Sequence, residues 1–385
     1  MRVIPPLEIT EARLTSSNAP EPAVGEAAYA AGTTYAAGAK VIVGSPTATV
    51  TISNGAPAVI TWASHGQADG TIVVFSTTGT LPAGLVAGRV YFIVNRAAGA
   101  FQVSEELNGA PITTTSAGSG VHTATCQVHR IFESLQDGNS GRLPTDPGSS
   151  AWWMDVGPTN RWAMFDLLRN TATTVSSPLN VTITPGERID AIGLVGLVAD
   201  AVTVTVTVSG IVRYTQTLAL STRTVTDYYG YFFAPFTFRS AIVFYDLPPY
   251  TNGVISIAVT RNGGKVSCGG LVIGRSIYLG STIYDAVDDA ENYSKITRDD
   301  YGTSTLVPRR SVPKTNQSVR CPKANVKNAR DARSRLNAEP GLWFGLDDLT
   351  DDYFEALLIL GIYKQFSIRL DRPDSALVTL ELEEV

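Results

Sequence analysis

Apolar and polar residues alternate with a period of two along much of the chain, the signature of half-buried strands. The clearest run is 202–208, where valine and threonine strictly alternate, so the valines point to a core and the threonines outward. Shorter alternating runs predict strands at 47–52, 58–62, 71–76, 89–95 and 100–104, with 121–126 leading on from them. Further strands are predicted at 180–184, 190–197, 211–218, 241–245, 254–260 and 266–273. The apolar stretch 189–208 is broken by Asp190, Gly193, Gly196 and Asp200, so it reads as two strands and a turn rather than a membrane helix, which needs about 18–20 apolar residues. Strands at turn-punctuated intervals over 157–280 predict a β-sandwich or jelly roll. Near the end, Thr350 is placed to cap a short helix that Gly361 stops, followed by a strand pair at 366–370 and 377–382.

Two stretches lack this pattern. Residues 1–22 carry Pro5, Pro6, Pro20 and Pro22 and predict an extended arm, which needs a neighbour to lie on if it is ordered. Residues 281–340 have an acidic part around Asp285–Asp300 and then a basic part containing Arg309, Arg310, Lys314 and Arg320. They predict a charged arm that meets the opposite charge of a neighbouring copy. Solvated charge is the plainer alternative for these side chains.

Between the first arm and the sandwich lies a small unit in two pieces, 23–44 and 126–156, separated by the β unit at 45–125. The expected class is therefore mostly β: a small split unit with an inserted β domain, a β-sandwich at 157–280, an arm-rich region at 281–340, and a helix and strand pair at 341–385. The split unit is rich in flat rings: Tyr29, Tyr35, Trp152 and Trp153. Such rings serve as a platform on which sugar C–H faces stack; equally, they supply the core of a unit with little else to bury.

Ala28-Tyr29-x2-Gly32-x2-Tyr35-x2-Gly38-x2-Val41 resembles the start of the chitin-binding type of carbohydrate-binding module. Phe132, Asn139, Pro144 and Trp152-Trp153 resemble its second half, and Tyr29 stands where that family usually has tryptophan. The string from Trp152 to Asp166 (WWMDVGPTNRWAMFD) looks like the junction that joins such a module to a β-sandwich in virion proteins of tailed bacteriophages. The segments 77–85 and 101–104 resemble a small β unit recurring in phage tail and fibre proteins. The resemblance, spanning about residues 23–280, implies a structural part of a tail tip or baseplate, located in the virion and made in the host cytoplasm. Its implied partners are copies of itself, other tail proteins and a host-surface glycan.

The aromatic cluster at 228–238 reads either as a core-lining strand and corner or as an anchor buried against another subunit, with Tyr228 and Tyr229 as the exposed pair. A net charge of −5 gives no general attraction to nucleic acid, and the basic stretch at 309–335 has no interleaved aromatics, so no nucleic-acid partner is expected. Cys126, Cys268 and Cys321 form no CxxC pair, and His65, His122 and His129 have no metal-ligand spacing, so neither a metal nor a cofactor is expected. No Gly-x-Ser-x-Gly, phosphate loop or triad spacing is present, so the expectation is a non-enzyme. The alternatives carried forward are a receptor-binding protein for host glycans and a polysaccharide-degrading enzyme with a binding module.

Overall fold

The computed structural model describes the chain apart from residues 24, 223–226, 234–236, 350 and 352, with the backbone alone at 222 and 230. Strands make up 47% and helices 6%, which places the chain in the mostly-β class. It divides into two compact units: one of residues 1–9, 13–19 and 163–385, the other of residues 10–12 and 20–162. Among the described residues no helix is long and apolar enough to cross a membrane.

The second unit holds a closed barrel, formed in the order Ala100–Ser104, Ile60–Thr61, Thr47–Ile52, His122–Gln127, Ile72–Thr77 and Val90–Ala97. Closure leaves no unpaired edge, and each strand turns one side chain in two inward. Val73, Phe75, Tyr91, Ile93, Phe101 and Ala124 form its core, each 0–1% exposed. Cys126 lies in that core, and burial pushes its thiol up to about 12, so it is an inert packing residue. The same unit contains a four-stranded sheet in the order Trp153–Pro158, Arg130–Ser134, Lys40–Val43 and Ala27–Ala28, with Asn139–Ser140 pairing Thr34–Tyr35 beside it.

The first unit contains a five-stranded sheet: Ile211–Ala219, Ala201–Val208, Gly253–Thr260, Leu179–Ile183 and Leu14–Ser17. Val202, Val204 and Val206 are buried while Thr203 and Thr205 are not, as the valine–threonine alternation predicts. A three-stranded sheet of Ile242–Phe244, Ala191–Val195 and Gly270–Gly274 is buried along its length. Ala191, Val195, Val243 and Val272 pack against Leu342, Phe344 and Leu360 of an eight-stranded sheet. That sheet runs Ile277–Tyr278, Arg2–Ile4, Gly341–Phe344, Leu358–Arg369, Ser375–Glu384, Ser311–Pro322 and Ser281–Thr282, with Val287–Asn292 also on Ser311–Pro322.

Several expectations are corrected. The N-terminal segment does not wait for a neighbour: Arg2–Ile4 pairs Gly341–Phe344, Leu14–Ser17 pairs Leu179–Ile183, and Val3 is fully buried. Residues 281–340 are not a bare arm. Ser311–Pro322 alternates, but its inward residues are Thr315, Gln317, Val319 and Cys321, so the polar first pair hides the period. The helix Val326–Arg335 buries only Ala329 and Ala332, a stripe too small to stand out in sequence. Among the described residues no helix runs to Gly361. That glycine lies inside the strand Leu358–Arg369, opposite Gly341 and Glu384, where hydrogen bonding on both sides outweighs the local helix signal. The Thr350 cap and Asp352 lie outside the described residues. Within the aromatic cluster, Tyr228–Phe233 is a short helix and Thr237–Phe238 a short strand, while Pro235 and Phe236 lie outside the described residues.

Candidate functional site

The four rings singled out in the split unit do not form an open platform. Trp153 is 4% exposed, and its indole N–H donates to the Arg142 carbonyl at 2.9 Å. Tyr29 and Tyr35 stack at 6.0 Å, and both meet Trp153 edge-on. The Tyr35 hydroxyl accepts from the Ala30 N–H at 2.8 Å. Trp152 is half-buried, with the Arg142 guanidinium 3.9 Å above its ring. With Val41 and Phe132 these rings are the unit's own core, because so small a sheet has little else to bury. Buried Asn139 braces the second half, donating to Ser134 Oγ at 3.1 Å and to the Trp152 carbonyl at 3.2 Å.

Tyr29 differs from the other three. Its hydroxyl is buried without a hydrogen-bond partner, and the residue lines a cavity of about 410 Å³. Residues 42–46 and Tyr29 form one wall; Trp62, Ser64, His65 and Gln67 form another. The second wall depends on Gly66, which has φ +58°; a Cβ there would lie 2.7 Å from Leu143 Cδ1, itself part of the lining. His65 is buried with both ring nitrogens engaged: Nε2–H donates to the Ala97 carbonyl at 2.7 Å, and Nδ1 accepts from the Gln67 N–H at 3.0 Å. The Gln67 amide donates to the His65 carbonyl at 2.8 Å and leaves its buried Oε1 without a partner.

Beside this cavity lies a charged cluster. Glu21 Oε1 takes a hydrogen bond from His129 Nδ1 at 2.9 Å and from Thr159 Oγ1 at 2.8 Å. Glu21 Oε2 accepts from Trp162 Nε1 at 3.1 Å, and His129 stacks on the Trp162 ring at 4.2 Å. Burial alone pushes the Glu21 carboxyl upward, but the His129 contact and the Thr159 and Trp162 donors outweigh it and hold it below the ordinary carboxylate value. On the other side, His129 Nε2 is 3.2 Å from Ser45 Oγ and 3.4 Å from Glu11. Ser45, His129 and Glu21 thus stand in the order of a nucleophile, base and orienting acid. The Ser45 hydroxyl, however, donates to Glu11 at 2.5 Å. Its proton is thus directed to the Glu11 carboxylate rather than to His129 Nε2. The cluster cross-links residues 11, 21, 45, 129, 159 and 162, far apart in sequence.

The basic residues expected at an interface find acids within their own chain. Lys314 pairs with Glu291 and, at 3.5 Å, with Glu383. Arg310 lies 3.4 Å from Glu384, and Arg320 lies 2.9 Å from Asp371. Arg309 is exposed, and its backbone N–H donates to Ser294 Oγ at 2.9 Å. Tyr228 and Tyr229 are 88% and 73% exposed on their short helix. Among the described residues, no group of three His, Cys, Asp or Glu side chains is placed to hold a metal ion.

Glu11, Glu21, Ser45, Trp62, His65 and Gln67 were not singled out from sequence. The one local signal was the polar string Ser64-His65-Gly66-Gln67 between strands; the carboxylates of the cluster carry no spacing that points to His129. No known family model matches the chain, and no curated protein matches it.

Proposed function

We propose that this chain is a structural component of a tailed-phage tail tip or baseplate, assembling in several copies and presenting β modules toward the host surface. The reading rests on the sequence resemblance over residues 23–280 and on one structural observation, an exposed apolar hairpin. Lys295–Arg298 pairs with Ser304–Val307, and every residue of both strands is exposed. Ile296 is 63%, Leu306 67% and Tyr301 95% exposed. A lone two-stranded hairpin is marginal in water, and contiguous exposed apolar side chains mark contact surfaces.

A second copy is the partner that suits it. The neighbouring strand Val287–Asn292 is exposed throughout and carries Asp288 and Asp289, while Arg309, just beyond the hairpin, is an exposed base. An acidic segment of one copy meeting a basic segment of the next is a head-to-tail contact, which closes into rings when repeated. Sedimentation velocity tests this. The intact chain is expected to sediment as an oligomer, and an Ile296→Ser/Leu306→Ser variant as a monomer. An intact chain that stays monomeric, alone and mixed with the other tail proteins, overturns the assembly reading. Its absence from purified virions overturns the phage assignment.

A further inference from the structure

We infer that the aromatic tip at residues 228–238 is a peripheral anchor that enters the interfacial layer of a lipid bilayer without crossing it. Seven of its eleven residues are Tyr or Phe and none is charged; Asp227 and Arg239 flank it. Tyr228, Tyr229, Tyr231, Phe232 and Phe233 lie on the short helix at 60–88% exposure, and Phe238 is 53% exposed. The rings meet one another, Tyr229 and Phe233 at 5.0 Å and Tyr231 and Phe232 at 5.1 Å. The base of the tip is fixed. Leu220 is fully buried, its carbonyl accepts from the Arg239 N–H at 2.8 Å, and Ser221–Thr222 pairs with Thr237–Phe238. A held base thus carries an exposed apolar end, and contiguous exposed apolar side chains mark contact surfaces.

The placement of the rings narrows the partner. At about 100° per residue, the five helix rings spread over about 200° around the axis, and Gly230 takes the remaining arc. A helix seated in a protein groove, or laid against a second copy, buries a stripe of about 100°. Either partner would leave some of these rings in water. A medium that closes around the tip covers them all. Tyr and Phe together suit the bilayer interface, where phenol hydroxyls stay among the headgroups and the Phe rings reach the acyl boundary. No charge within the tip has to leave water for this. Nor does the tip hold a Lys or Arg, so burial of the rings, not attraction to anionic headgroups, draws it in. The inference rests neither on assembly through the hairpin nor on the phage assignment.

Vesicle flotation of the full chain tests this, with vesicles of phosphatidylcholine alone and of phosphatidylcholine mixed with phosphatidylglycerol. The chain is expected to float with both to a similar extent, and equally at low and high salt. Phe232→Ser/Phe233→Ser should weaken partitioning by about tenfold or more, with the melting temperature unchanged because both side chains are exposed. Tyr228→Ser/Tyr229→Ser should weaken it as well, and decides alone if the first variant fails to fold. The Ile296→Ser/Leu306→Ser variant should still float, so a failure of the assembly reading leaves this one standing. Absence of flotation, flotation with the anionic vesicles only, or flotation unaffected by the ring substitutions overturns the anchor. So does loss of oligomers in Phe232→Ser/Phe233→Ser without vesicles, which would place the rings in a contact between copies.

Discussion

Glu21 shows how one residue carries more than its sequence context suggests. Its carboxylate receives His129, Thr159 and Trp162 at once, and its side chain is only 8% exposed. Because its folded value lies below its ordinary value of 4.5, the stability it contributes is complete above that value and is lost as pH falls through the folded one. Urea melts between pH 7 and pH 3 should therefore show a stability loss that Glu21→Gln flattens. The same variant should be less stable at pH 7 by about 2 kcal/mol, since it exchanges a charged acceptor for a neutral amide beside buried donors. An unchanged pH profile in the variant would remove Glu21 from this role. Sequence reading could not find it: Glu21 sits among prolines, and its partners lie more than a hundred residues away. Tyr29, by contrast, was legible as an aromatic of the split unit. Its hydroxyl, buried without a hydrogen-bond partner, was not.

Among the elements, strands with apolar inward residues were legible and strands with polar ones were not. The 202–208 run and Ala201–Val208 differ by one residue, because valine and threonine mark the two faces of the pleat plainly. Ser311–Pro322 was read as part of an arm since Thr315 and Gln317 occupy inward positions. Its identity as a strand comes from nine residue pairs with Ser375–Glu384, a nonlocal gain. The hairpin Lys295–Val307 is the opposite case, an element with apolar side chains and no core. Replacing residues 293–308 with a short turn should leave the melting temperature within about 3 °C, the shift expected for less than 1 kcal/mol, because its side chains bury little. The same deletion should abolish oligomers. A large drop in melting temperature would show that the hairpin serves the fold rather than assembly.

For the whole molecule, the division into two units follows from where the cores lie. The barrel core and the ring core both fall within residues 20–162. A fragment of residues 20–162 should therefore melt cooperatively by itself, followed by circular dichroism. A fragment without a cooperative transition would mean that neither core is self-sufficient. By itself the sequence determined the mostly-β class and the strand positions where valine, isoleucine and threonine alternate, since these follow from local period and residue chemistry. Only the tertiary structure decided that the N-terminal segment is built into two sheets, that the charged region supplies a central strand and a helix, and that Glu21 meets His129. It also decided that the rings of the split unit cover one another and that Tyr29 lines a cavity. Those outcomes depend on which distant segments pair. The free energy that selects the pairing is shared among many weak contacts, none of which marks the residues that make it.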